Sequence, residues 1–339
     1  MCVVYHFLTY QKWFSHNFEL IDMASAESMH NWDPHNEKGP KEPPLLPSAS
    51  IRIKKDLMSL YKDPPPGIFA TASESDIRNV HALIIGPMDT PYEGGMFYFF
   101  LRCPYDFPIK PPKVRFLTTD AGKVRFNPNM YACGKVCLSI IGTWVGPGWT
   151  PAQQLSSLLI SIQSLFNDKP ITNEPGYEKM FRPDESAEYS EMITHETIRV
   201  AVIGMVENQC HLTIPPEFVP IIERTFLQYF DVYVETCTKK MYLDGRKYKD
   251  PLNKSSNVVF KYKKMLAKLH EIKEKLVKKH KSLKQPSSDG DGSDYKEDTD
   301  EERIDETNVH EFVDSPEDVE DEDMDSYLEE YSEESSDDS

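Results

Sequence analysis

Apolar residues recur at helical spacing where the folded part of the chain begins. Leu57, Leu60 and Tyr61 lie four, seven and eight residues beyond Ile53, with Arg52, Lys54 and Lys55 on the wet side and Ser50 offering a capping hydroxyl. The run Asp63-Pro64-Pro65-Pro66-Gly67 ends this predicted helix. Short β-like runs follow at 68–72, 80–85, 97–101 and 114–117, separated by Gly/Pro clusters at hairpin intervals, which predicts an antiparallel meander. Thr150-Pro151 then opens a second helix whose stripe is Leu155, Leu158, Leu159, Ile162, Leu165 and Phe166. A further helix is expected over 186–207, and two more over 217–242 and 258–283. Helix, sheet and helices segregated in order read as an α+β fold.

Composition divides the chain further. Residues 24–47 are rich in Pro, Asn, Glu and Ser, so 1–47 reads as a flexible extension. A core at 48–207 and a helical extension at 208–285 follow. Residues 286–339 hold 25 acidic against two basic side chains, and predict a disordered acidic tail that accounts for the whole net charge of -18. The stretch 261–284 carries ten Lys and two Glu, which reads as a lysine-rich solvated helix face rather than a nucleic-acid site.

No segment reaches the ~18 uninterrupted apolar residues of a membrane span. The apolar stretch at 3–8 is short and lacks a basic leader, so residues 1–22 read as an extension ahead of Met23 rather than a secretory signal. Six irregularly spaced cysteines do not form a disulfide framework and point to a reducing compartment. Cys133 and Cys137 lack a second Cys/His pair at zinc spacing, so no metal is expected.

One cysteine stands apart. Cys137 sits in Gly134-Lys135-Val136-Cys137-Leu138-Ser139, eight residues after Asn129 and shortly before Trp149-Thr150-Pro151. A thiol among turn-forming and polar groups suggests a covalent carrier near the surface, the bland alternative being an idle buried thiol. Gly86-Pro87-Met88-Asp89-Thr90-Pro91-Tyr92-Glu93-Gly94-Gly95-Met96-Phe97, then Phe107-Pro108-Ile109-Lys110-Pro111-Pro112, Asn127-Pro128-Asn129, Cys137-Leu138 and Trp149-Thr150-Pro151 follow in the order seen in ubiquitin-conjugating enzymes. Over 48–207 the chain resembles that family, and His195-Glu196-Thr197-Ile198-Arg199-Val200-Ala201-Val202 with the added helices resembles its Z-type branch, specific for the sixth activating enzyme.

The resemblance implies a thioester carrier. Cys137 would take ubiquitin, or a diubiquitin-like modifier, from an activating enzyme and pass it to a lysine, usually with a ligase. ATP would be consumed by the upstream activating enzyme, with no cofactor bound. Asn129 matches the asparagine that either stabilises the oxyanion or braces the loop. Asn127 replaces the usual histidine, a departure shared by the Z-type branch, which puts the loop geometry in question. Glu174 falls where an acid would position the incoming lysine, a solvated loop glutamate being the alternative. Ser139 stands where Asp is common and serves as a turn cap.

Trp149 follows Cys137 by twelve residues, four more than usual, so 142–148 is an enlarged loop. That loop either tunes modifier or ligase choice or lets Trp144 cover a neighbouring helix. The Tyr92-Glu93-Gly94-Gly95 turn reads as structural. By the same analogy Arg52, Lys54 and Lys55 would meet the activating enzyme's acidic ubiquitin-fold domain, and Phe107 with nearby loops would meet ligases. A monomer in cytoplasm and nucleus is implied, with no nucleic-acid or membrane partner. Two other readings are a catalytically silent relative that presents binding surfaces, and an acidic-tailed chaperone for basic proteins.

Overall fold

Each strand of the meander alternates its side chains between two faces, and here both faces are covered by the same chain. The computed structural model describes residues 32–35, 42–173, 182–252 and 257–283; the expectations for the remaining residues, including Glu174 and the acidic tail, lie outside them. Four antiparallel strands, β1 (Ile68–Ser73), β2 (Asp76–Ile85), β3 (Met96–Arg102) and β4 (Lys113–Phe116), pair in sequence order. Phe97, Phe99 and Leu101 of β3 enter a main core with the first two helices. Met96 and Tyr98 face the other way, into a second core. This two-sided burial explains why 96–101 is an unbroken apolar run instead of an alternating one.

Helix α1 (Pro47–Lys62) buries Ala49, Ile53, Asp56 and Leu60. It starts three residues before Ser50, because Pro47 at the first turn carries no amide to satisfy, and Leu46 supplies no side-chain cap. Tyr61, expected on the apolar stripe, is 80% exposed. Its place is taken by Asp56, which tolerates burial because the Arg52 Nε donates to Oδ1 at 2.7 Å and the Leu155 amide donates to Oδ2 at 3.0 Å.

Helix α2 (Leu155–Gln163) begins later than the Thr150-Pro151 signal suggests. The Thr150 amide is taken by the Gln153 side chain at 2.8 Å, forming a turn, and Gln154 with Ser157 closes a capping box one residue on. Leu165 and Phe166 fall beyond its end, and Phe166 stacks on Phe97 with centroids 4.4 Å apart.

The single helix expected over 186–207 is two segments, α3 (Pro183–Glu196) and a π-helical run Thr197–Gly204. That run is rich in β-branched residues and, apart from Arg199, buried: Val200 and Ala201 join the main core, while Ile198, Val202 and Ile203 join the second. Wider turns serve a stretch that must address two cores.

Beyond it, α4 (Phe218–Gln228) and α5 (Phe230–Lys239) replace one predicted helix, broken at Tyr229. A two-stranded hairpin, β5 (Lys247–Lys249) with β6 (Asn257–Val259), was not expected. Helix α6 (Tyr262–Leu283) starts after β6 and buries Tyr262, Met265, Leu269, Ile272 and Leu276 against the second core. Several of its lysines are tied down: Lys268 to Glu207 at 2.7 Å, Lys279 to Glu223 at 2.6 Å, and Lys273 over the Phe230 ring at 4.0 Å.

Part of the segment expected to be flexible lies on the sheet. Asp33 pairs with Arg115, His35 stacks on Phe100 at 4.6 Å, and Glu42 pairs with Arg102 at 2.8 Å. Phe100 and Arg115 are cross-strand partners on the outer face, which the helical extension leaves uncovered at this end. No helix among the described residues is long and apolar enough to cross a membrane.

Candidate active site

Chain reversal after β4 builds the site. Short bridges pair Asn127 with Met130 and Met130 with Val136, folding 127–137 into a tight loop that sets Cys137 beside Asn129. The Cys137 amide donates to the Asn129 carbonyl at 2.8 Å. In return the Asn129 Nδ2 donates to the Cys137 carbonyl at 3.0 Å. An amide nitrogen has two hydrogens, so one donor of Asn129 braces the loop and the second remains for an oxyanion. Both roles left open for Asn129 are compatible with this geometry.

Cys137 is 3% exposed, against the expectation of a thiol near the surface. On its far side, the Leu138 amide is held by the Thr143 hydroxyl at 2.9 Å, and that hydroxyl donates to the Val136 carbonyl at 2.6 Å. Thr143 thus clamps the two residues flanking the cysteine. Nothing in composition marked it, since Thr143 lies inside what read only as an enlarged loop.

Asn127 answers the question raised by the missing histidine. Fully buried, it accepts the Asn129 amide on Oδ1 at 2.8 Å and donates from Nδ2 to the Leu165 carbonyl at 2.7 Å. The Tyr92 hydroxyl, 3.2 Å from the same Nδ2, donates to the Phe126 carbonyl at 2.8 Å. Burial pushes the Tyr92 hydroxyl far above the ordinary phenol range, so it stays a neutral donor. A primary amide holds the loop on three sides here.

The enlarged loop folds back toward the site. Gly146 has a φ of 146°, and a Cβ there would stand 2.9 Å from that of Ser139, so only glycine fits this close return. Ser139 opens a short 3₁₀ turn, Ser139–Ile141. Trp144 is left exposed rather than folded over a helix, and Val145 beside it is 92% exposed.

The proposed contact residues separate. Lys54 and Lys55 are exposed on α1. Arg52 instead turns inward, donating to the Pro151 carbonyl at 3.0 Å and the Gln153 carbonyl at 2.6 Å as well as to Asp56. Phe107, at 2% exposure, packs against Trp149, whose indole donates to the Pro108 carbonyl at 2.7 Å. Its ring is therefore support, and the exposed apolar side chain on that loop is Ile109. Glu174 lies outside the described residues.

His195, quoted above as part of the branch-like stretch, is fully buried. Its Nε2 accepts the Lys261 amide at 3.0 Å, which fixes the proton on Nδ1, 2.8 Å from Glu196. Arg199 grips Glu196 and Asp120. The cluster fastens the extension to the core. Among the described residues, no group of three or more His, Cys, Asp or Glu is placed to hold a metal.

The sequence pattern of the ubiquitin-conjugating enzyme family matches residues 52–196. "Ubiquitin-conjugating enzyme E2 Z" of Homo sapiens is 45% identical over 269 residues, 79% of this chain and 75% of the relative. The protein of the same name from Xenopus tropicalis is 46% identical over 250 residues, covering 74% and 79% respectively. "Probable ubiquitin-conjugating enzyme protein 17" of Caenorhabditis elegans is 42% identical over 171 residues, covering 47% of this chain and 24% of the relative. A shared sequence of that extent, on a meander flanked by the expected helices, is decisive: the chain belongs to the ubiquitin-conjugating enzymes, transferases of ubiquitin conjugation.

Proposed function

We propose that Cys137 carries the modifier as a thioester and hands it to a lysine amine. In charging, the Cys137 sulfur attacks the thioester carbonyl of the activating enzyme. A new C–S bond forms, and the donor's sulfur leaves. In discharge, an amine attacks the same carbonyl, a C–N bond forms, and Cys137 sulfur departs while the amine's proton passes to a base. Exchange between thioesters is close to isoenergetic, and amide formation is downhill, so the site needs positioning more than a strong base.

The observation that carries this reading is the reciprocal pair of hydrogen bonds between Asn129 and Cys137. Each tetrahedral step puts negative charge on the carbonyl oxygen beside Cys137, and the second Asn129 hydrogen is available to it, an effect of a few kcal/mol. Glu174 is the proposed acid for the lysine. The modifier is ubiquitin, and possession of the relatives' extension favours a second, diubiquitin-like modifier as well. Lys54 and Lys55 are the proposed contacts for the activating enzyme, and Ile109 beside buried Phe107 the proposed contact for ligases. ATP acts upstream, and the enzyme works as a monomer in cytoplasm and nucleus.

The test is a gel with activating enzyme, ATP, modifier and this chain, run with and without reductant. A reductant-sensitive shift that Cys137→Ala abolishes supports the proposal. The low exposure of Cys137 is what a silent relative would also show, and a chain that never shifts with any activating enzyme would overturn the proposal.

A further inference from the structure

We infer that Arg125 is a positioning residue through which the C-terminal extension holds the 127–129 loop for transfer; this rests on the thioester reading above. Its guanidinium reaches three backbone carbonyls. Nη2 donates to Pro128 at 2.5 Å, Nε to Asn127 at 3.3 Å, and Nη1 to Leu252 at 3.5 Å. The plane of the group is set by the Tyr131 ring, with Cζ 3.9 Å from its centroid.

The Pro128 carbonyl belongs to the same peptide plane as the Asn129 amide. Asn127 Oδ1 holds the N–H of that plane at 2.8 Å, and Arg125 holds its C=O. A peptide fixed at both ends does not rotate, so the Asn129 Cα is held, and from that base the side-chain amide reaches the Cys137 carbonyl at 3.0 Å. Loss of the guanidinium frees one end.

The third carbonyl brings in the extension. Leu252 follows β5, and its amide is held by Asp250 Oδ1 at 2.8 Å, so the chain presents its carbonyl to Arg125 from an ordered turn. Three acceptors in different directions suit a planar fork with five donors, and a lysine ammonium cannot match them while stacking flat on Tyr131. Through this side chain the extension reaches the thiol site, and residues 250–252 bear on catalysis from behind the loop.

Discharge is the step that should feel this. Thiolate attack on a thioester is intrinsically easy, while an amine must shed water and a proton, so discharge depends more on an oriented Asn129. The experiment uses the full chain as wild type, Arg125→Met, Arg125→Lys, Asn129→Ala and Arg125→Met/Asn129→Ala. Charging by activating enzyme, single-turnover discharge onto free lysine, and melting temperature are measured for each.

Arg125→Met is expected to slow discharge about tenfold, several times more than it slows charging, with Arg125→Lys between it and wild type. Because Arg125 acts through Asn129, the double variant should discharge no more slowly than Asn129→Ala alone. If Arg125→Met melts below the assay temperature, Arg125→Lys and its double with Asn129→Ala carry the same comparison. Multiplicative slowing in the double variant, equal loss of charging and discharge, or discharge indifferent to Arg125 would overturn the inference while leaving a charging wild type intact. A wild type that never charges overturns the thioester reading and this inference together.

Discussion

The hydroxyl of Tyr233, on the extension, donates to the carbonyl of Gly94 in the turn before β3, at 2.7 Å. Gly94 has a φ of 67°, and a Cβ there would stand 2.7 Å from that hydroxyl. The Gly94 turn is shaped for the extension as well as for the hairpin. Tyr233→Phe should cost about 1–3 kcal/mol, because it strands a buried carbonyl. Gly94→Ala adds backbone strain to a clash and should cost about 2 kcal/mol or more. Denaturant unfolding of both variants checks this, and neutral values would contradict it.

Asn127 supplies the second prediction. Asn127→Ala removes the acceptor for the Asn129 amide within the loop that carries the site, and one of two donors to the Leu165 carbonyl beyond α2, the other being Asn173 Nδ2. It should lower stability by about 1–3 kcal/mol and slow lysine discharge more than charging. Asn127→His restores one donor and one acceptor and should retain more discharge than Asn127→Ala. Equal rates for the two variants would show that Asn127 does not hold the loop through these bonds.

Arg52 and its neighbours test how far a family analogy transfers by position alone. Arg52→Ala leaves buried Asp56 with one partner instead of two, and should lower the melting temperature. Lys54→Ala/Lys55→Ala touches nothing internal, and should leave melting alone while slowing charging at low salt, less so at high salt. Melting curves and charging rates at two ionic strengths separate these effects.

Stability should depend on pH in two windows. Burial lowers the pKa of His35 and His81, which both pack on Phe100. A depressed base binds fewer protons folded than unfolded, so stability is full above about pH 6.5 and falls as pH drops below it. Glu196 is raised by burial, but hydrogen bonds from His195 and Arg199 outweigh that and leave it below its ordinary value of 4.5. Its contribution is present above that value and lost as pH falls through the lower folded one. Thermal melts from pH 7.5 to 3.5 should show both declines; His81→Gln should flatten the first and Glu196→Gln the second.

The meander and the helices around it were legible because period and punctuation are local: strand edges fell within a few residues, and Pro/Gly runs marked the ends. What failed was what depends on distant partners. Arg52 read as solvated because Asp56, its buried mate, looks like any helix-surface carboxylate until Leu155 arrives. Phe107 read as a contact by family analogy, and its loop gives no sign of Trp149, more than forty residues away. The Thr197–Gly204 run kept a helical period, and only two flanking cores explain its wider turns. Around Cys137, the motif residues were found by their order. Thr143 and Arg125, which act through backbone carbonyls, leave no periodic trace.

The central claim is that Cys137 itself bonds the modifier, and replacing sulfur by oxygen tests that most directly. With activating enzyme and ATP, Cys137→Ser should accumulate an adduct whose intact mass equals chain plus modifier less one water, resistant to mild thiol, cleaved by dilute hydroxide, and mapped to residue 137. Wild-type adduct should vanish with thiol. An adduct on any other residue, or none on either protein, would contradict the account.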